Sequence, residues 1–178
     1  MGDRSRHCRV VGGAGCVVVV AALLAACSPE QVGTLALTQR DGSPVVAVMR
    51  CDDTALERVA ISHAGPLRSD GPRQSVVDAR WSTDQEDDDI IVLDTSRPGR
   101  EWDVHKRVGD LDDDETYSVS AGGDTDHSMG SVGFTTAELA MLPEGRWLTA
   151  DSEPEASTGV RPTVTNLKAL RSHFCGAG

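Results

Sequence analysis

Between Leu35 and Thr136 no apolar run outlasts a single β-strand, and nearly every run is closed by Asp, Gly, Pro or Ser. Short runs with period-2 alternation, punctuated this often, predict a mainly β chain. Leu35 and Leu37 alternate with polar or small neighbours up to Asp41-Gly42-Ser43-Pro44, and Pro44 to Cys51 carries Val45, Val46 and Val48 beyond it. The two runs predict a hairpin around that turn.

The pattern continues along the chain. Asp52-Asp53 marks a turn, and the strand after it places Val59, Ile61 and His63 on one face. Gly65-Pro66 and Asp70-Gly71-Pro72 bracket a loop, and Gln74 to Trp81 follows with Val77, Ala79 and Trp81 sharing a face. The acids from Asp84 to Asp89 fall where a hairpin loop is expected, before a short buried strand at Ile90-Ile91-Val92-Leu93. Ser96 to Gly99 turns the chain, and Trp102 and Val104 alternate along Arg100 to Val108.

The N-terminus is of another kind. Arg4, Arg6 and Arg9 outweigh Asp3, and an uncharged stretch ends in the dense apolar segment Ala14 to Ala26. Its thirteen residues are short beside the roughly 20 that span a bilayer, so a cleaved leader helix is expected rather than a permanent anchor. The closing Leu24-Ala25-Ala26-Cys27 resembles the lipobox of bacterial lipoprotein precursors, with the Arg, Ala, Gly and Val bias of an actinobacterial type. That resemblance implies a diacylglycerol on the Cys27 sulfur, cleavage before Cys27, and a membrane partner reached through the lipid. The protein would then sit on the extracytoplasmic face of the cell membrane.

Loss of residues 1–26 leaves 152 of 178, enough for one domain, and takes three arginines and one acid away, moving the net charge from −11 to −13. Such a charge disfavours nucleic acid as a partner. Of five cysteines, Cys8 and Cys16 leave with the leader and Cys27 goes to lipid, so Cys51 and Cys175 remain in an oxidising compartment. An intrachain bond between them is the expectation; two buried thiols, or a bond from Cys175 to another molecule, are the alternatives.

Leu111-Asp112-Asp113-Asp114-Glu115-Thr116-Tyr117-Ser118-Val119-Ser120-Ala121 resembles the turn into strand F of fibronectin type III and immunoglobulin-like sandwiches. The resemblance, over about Val45 to Thr136, implies that Leu111 caps the core and that the Tyr117 hydroxyl bonds back to the preceding turn. Ser128 to Thr136 matches the last strand of such domains. Beyond it, Ala137 to Leu142 predicts a helical turn stopped by Pro143, and Arg146 to Thr149 a strand-like piece. Leu167, Leu170 and Phe174 predict a final helix capped by Thr165 or Asn166, which would deliver Cys175.

The expected organisation is a signal helix at 1–26, a tether at 27–33, a β-sandwich at 34–149, an acidic linker at 150–163 and a C-terminal helix and tail at 164–178. No catalytic motif, metal-ligand spacing or cofactor signature accompanies it. His63, His105, His127 and His173 lie far apart, no Gly-x-Ser-x-Gly occurs, and the Asp110, Asp112, Asp114 spacing lacks the glycine of a calcium loop. Gly122 to Asp126 is only a fragment of a calcium repeat. The expected function is therefore a non-enzymatic binding module with a protein partner, no metal and no cofactor. The alternative is an envelope enzyme or enzyme accessory whose catalytic carboxylates lie among the turn acids.

Overall fold

Asp41 and Gly42 both take positive φ, 52° and 77°. Two successive residues of that kind make the tight turn whose twist matches an antiparallel hairpin, and glycine at the second position removes the steric cost. The turn joins β2 (Gly33–Arg40) to β3 (Ser43–Arg50), paired without interruption from Arg40↔Ser43 to Gly33↔Arg50. This computed structural model describes residues 30–51, 53–67, 73–85, 88–123, 127–149 and 163–176. The leader, Cys27, most of the acidic linker and the tip of the 122–126 fragment lie outside them.

The other elements are β1 (Glu30–Gln31), β4 (Arg58–Ala64), β5 (Ser75–Ser82), β6 (Ile90–Asp94), β7 (Asp103–Lys106), β8 (Tyr117–Gly122), β9 (His127–Phe134), α1 (Thr136–Ala140), β10 (Trp147–Thr149), β11 (Thr163–Val164) and α2 (Leu167–Cys175). They form two sheets packed as a sandwich, one ordered β1-β9-β8-β4-β5-β7 and the other β11-β10-β2-β3-β6.

Alternation along β2 and β3 builds both sides of the second sheet. Leu35, Leu37, Val46 and Val48 enter the core between the sheets with Val59, Ile61, Trp81, Val119, Met129 and Phe134. Ala36, Ala47 and Met49 face the other way, into a smaller cluster with Ile90, Trp147, Leu167 and Leu170. The helix α2 thus covers the outer face of a sheet that would otherwise expose apolar side chains.

Several expectations differ from what is observed. Glu30–Gln31, placed by sequence in the tether, pairs in parallel with His127 and Ser128, and Val32 is buried with its N–H donating to the Ser128 carbonyl. Thr163, placed in the linker, pairs with Leu148. The acids of 84–89 do not close a hairpin: β5 and β6 belong to different sheets, so the segment crosses between layers. Ile90 to Leu93 is an edge strand rather than a fully buried one, and Val92 is 45% exposed because β6 ends its sheet and α2 does not reach it. Val77 does not join the face of Ala79 and Trp81. The register jumps from Ile61↔Ala79 to Ser62↔Val77, leaving Asp78 as a bulge that turns Val77 outward to 42% exposure.

At the edge strand β6, burial opposes ionisation of Asp94, but the Ser96 hydroxyl and the Ser96 and Arg97 N–H groups donate to its Oδ1, and Arg40 pairs with Oδ2 at 3.2 Å. The net result holds its pKa below the ordinary carboxylate value. A depressed folded pKa contributes stability above the unfolded value, near 3.9, that disappears as pH falls through the folded one. Asp94→Asn should therefore be less stable than the parent at pH 7, with the gap closing below about pH 4 in paired urea titrations. A gap that persists at pH 2 would count against this.

Candidate functional site

The two ends of the sandwich differ. Glu30 pairs with His127, and Gly33 with Arg50, at the end where the described chain enters. β2 then runs eight residues, roughly 24 Å at about 3.4 Å per residue, to the Asp41-Gly42 turn at the opposite end. That far end also holds the start of β8, the ends of β4 and β9, and α1, since His63 pairs with Tyr117 and Tyr117 with Phe134.

The entry end is locked. Arg50, only 3% exposed, donates from Nε to the Asp88 carbonyl and from Nη1 to that of Thr54, while its own N–H donates to the Asp89 carbonyl. Arg171 on α2 donates from Nε to the Arg50 carbonyl at 2.7 Å and pairs with Asp89 at 3.0 Å. Beside them Cys51 and Cys175 form a disulfide, with Cα atoms 5.0 Å apart. Crossover segment, hairpin strand and terminal helix are fastened at one point. Sequence reasoning found the cysteines and missed Arg50, whose burial nothing local announces.

Three hollows lie toward the far end. Tyr117 is buried, and its hydroxyl accepts from the Asp112 N–H at 2.7 Å. Leu111 packs partly buried against the core just before it. Asp112 in turn accepts from the Asp114 N–H at 2.9 Å, which folds the acidic run into a turn. Tyr117→Phe should cost about 1 to 1.5 kcal/mol in urea unfolding, because the Asp112 N–H loses its acceptor while the ring packing stays. An unchanged midpoint would show that the hydroxyl does not hold this turn.

After β9, Thr135 caps α1 by accepting from the Glu138 N–H while the Glu138 carboxylate accepts from the Thr135 N–H. The Thr135 to Glu138 spacing is a capping-box signal that was present in the sequence and not used. Leu139 is buried by this geometry. Between α1, the β2–β3 turn and residues 108–113 lies an open depression of about 570 Å³, floored by Pro44, Val108, Leu111 and Leu139 and edged by Asp110 and Asp113. Asp113 accepts from the Thr136 hydroxyl at 2.8 Å. A smaller hollow beside Asp41 and Glu144 adjoins it through Gln39 and Gly42, and another lies beside His63 and Arg73.

The histidines do not gather. His63 Nδ1 lies 2.7 Å from Asp78 Oδ2, and His105 Nε2 lies 2.7 Å from the Ser82 hydroxyl on an exposed part of β5 and β7. His173 stands in the last turn of α2. Among the described residues no three His, Cys, Asp or Glu side chains come together as a metal site. The Asp112 carboxylate and carbonyl accept from the Asp114 and Glu115 N–H groups, as in a turn, and the Asp113 carboxylate is taken up by Thr136 at the start of α1.

No family model matches the chain, and no curated protein or solved structure matches it either. The class of protein is set by the fold: mainly β, two sheets of six and five strands in a sandwich, with a short C-terminal helix pinned by a disulfide.

Proposed function

We propose that the chain is a lipoprotein held by lipid on Cys27 to the extracytoplasmic face of the cell membrane, and that it is a non-enzymatic module for binding another protein. The observation that carries this reading is the polarity of the sandwich. Cys27 precedes the first paired residue, Glu30, by three positions, so a lipid there would fix the entry end to the membrane and turn the hollows outward. Loops displayed at the free end of a rigid sandwich are a common means of recognition.

The finer fold is proposed as fibronectin III-like or immunoglobulin-like. Strands β2-β3-β6 stand in the order of A-B-E, and β9-β8-β4-β5 in that of G-F-C-C′, with Tyr117 near the start of strand F. β1, β7, β10, β11 and both helices would be additions to that frame.

Mass spectrometry of the protein from its native envelope is expected to find Cys27 as the first residue, carrying diacylglycerol. An unprocessed N-terminal methionine would overturn the anchor. Photo-crosslinkers placed at Gln39 and Asp113, at the far end, should capture a partner that a crosslinker at Thr54, at the entry end, does not. Equal capture from both ends would overturn the orientation.

A further inference from the structure

We propose, resting on the protein-binding reading above, that a groove at the far end takes a basic segment of the partner, a stretch of arginine or lysine with apolar side chains between the charges. The groove consists of the two hollows that adjoin at Gln39 and Gly42, one beside Ser43 and Pro44 and the other beside Thr38 and Asp41. They measure about 570 and 350 Å³, each within the roughly 300 to 1,000 Å³ of small binding sites.

The floor is apolar and belongs to the core. Val108, Leu111 and Leu142 pack partly buried against it, and Leu139 is only 4% exposed. Met141 stands between Ala140 of the larger hollow and Leu142 of the smaller, and is 76% exposed, more than any other large apolar side chain among the described residues. A methionine at the border of two depressions, which the fold itself does not bury, offers a partner an adaptable apolar contact.

The rim carries one sign of charge. Asp110 and Asp113 edge the larger hollow, Asp41 and Glu144 the smaller, and no lysine, arginine or histidine lines either. Asp113 accepts from the Thr136 hydroxyl through one oxygen, and Asp41 lies 3.8 Å from Arg97 with both side chains largely exposed. The carboxylates of Asp110 and Glu144 have no ion-pair partner among the described residues. A cleft edged by one sign of charge focuses its field on the opposite sign. Carboxylates above an apolar floor select a cation with an apolar stem: the methylenes of arginine or lysine cover the leucines while the head group reaches the rim. Both walls are fixed before a partner arrives, one by the Asp112 N–H on the Tyr117 hydroxyl and the other by the Thr135 and Glu138 capping box, which lowers the cost of binding.

The test titrates the complete chain in detergent micelles with the acetylated, amidated peptide Arg-Leu-Arg-Leu-Arg and, separately, with its counterpart Glu-Leu-Glu-Leu-Glu, following the Gly42, Leu111, Leu139 and Leu142 amides by NMR. Saturable shifts at these amides are expected from the basic peptide alone. Asp110→Asn combined with Glu144→Gln removes two charges and no ion pair, and should weaken binding about five- to tenfold. Met141→Ala should weaken it too, with the salt dependence of the parent retained. Equal binding of the acidic peptide, no saturation by the basic one, or a doubly neutralised chain that binds as tightly as the parent would each overturn the basic segment. Failure of the basic peptide alongside capture of a partner from Gln39 would overturn it and leave the protein-binding reading standing. Binding of the peptide with no partner captured would overturn that reading and support the chemistry of the groove.

Discussion

Trp81→Ala is expected to lower the unfolding free energy by about 3 to 5 kcal/mol, the range for deleting a fully buried large aromatic. Trp81 is 0% exposed and is the largest of the wholly buried side chains. It stands on β5, opposite Val59 on β4 and beside Val104 on β7, so the strands that hold it cannot close over the lost volume without breaking their own register. In a domain whose total stability is of order 5 to 15 kcal/mol, the loss removes a large share, and Tm should fall by roughly 10 °C.

The indole N–H makes the substitution informative in a second way. Trp81 Nε1 has no hydrogen-bond partner among the described residues, and the same holds for Trp102 Nε1. An unmet buried donor costs about 1 to 3 kcal/mol, so Trp81→Phe, which removes it and keeps most of the ring, should cost well under half of what alanine does. Urea unfolding with an unchanged m value would attribute both losses to the native core. A Trp81→Ala loss below about 1 kcal/mol would mean that the two sheets do not meet on this residue.

How much of this was legible beforehand depends on the range of the interaction. The Asp41-Gly42 turn was legible because positive φ at two successive positions is a demand on residue type, and an Asp-Gly pair meets it. The Tyr117 corner was legible because leucine and tyrosine six apart on either side of a turn are a local pattern with a local bond. Alternation gave the strands but not their sheet: the acidic run at 84–89 announces solvent, and a solvated segment serves a hairpin and a crossover equally well. Glu30–Gln31 has too few residues to show any period. Val77 was misplaced by the bulge at Asp78, since one extra residue inverts a period of two. The His63–Asp78 pair depends on that same bulge, across fifteen residues, so no spacing rule could have brought the two together.

The other large effect concerns the disulfide. Joining residues 124 apart, it removes about 5 kcal/mol of chain entropy from the unfolded state in the loop-closure account. What it restrains in the folded state is α2, in which no residue is fully buried. Leu167 and Leu170, resting on Ala36, Ala47 and Met49, and the Arg171 contacts hold that helix besides the bridge. Replacing both Cys51 and Cys175 by alanine should therefore have two separable consequences. Global stability should fall by about 3 to 5 kcal/mol, less than the full entropic figure where the released helix regains freedom of its own, and m should rise as the unfolded chain expands. Locally, hydrogen exchange in α2 should accelerate to that of a frayed segment while the amides of β3 keep their protection, because β3 is paired on both sides by β2 and β6. Arg171→Ala in the oxidised chain isolates the remaining contacts and should cost only about 1 kcal/mol, since its partner Asp89 is largely exposed. If α2 stays protected after both cysteines are gone, the Leu167 and Leu170 packing and the Arg171 contacts, not the bridge, secure the helix.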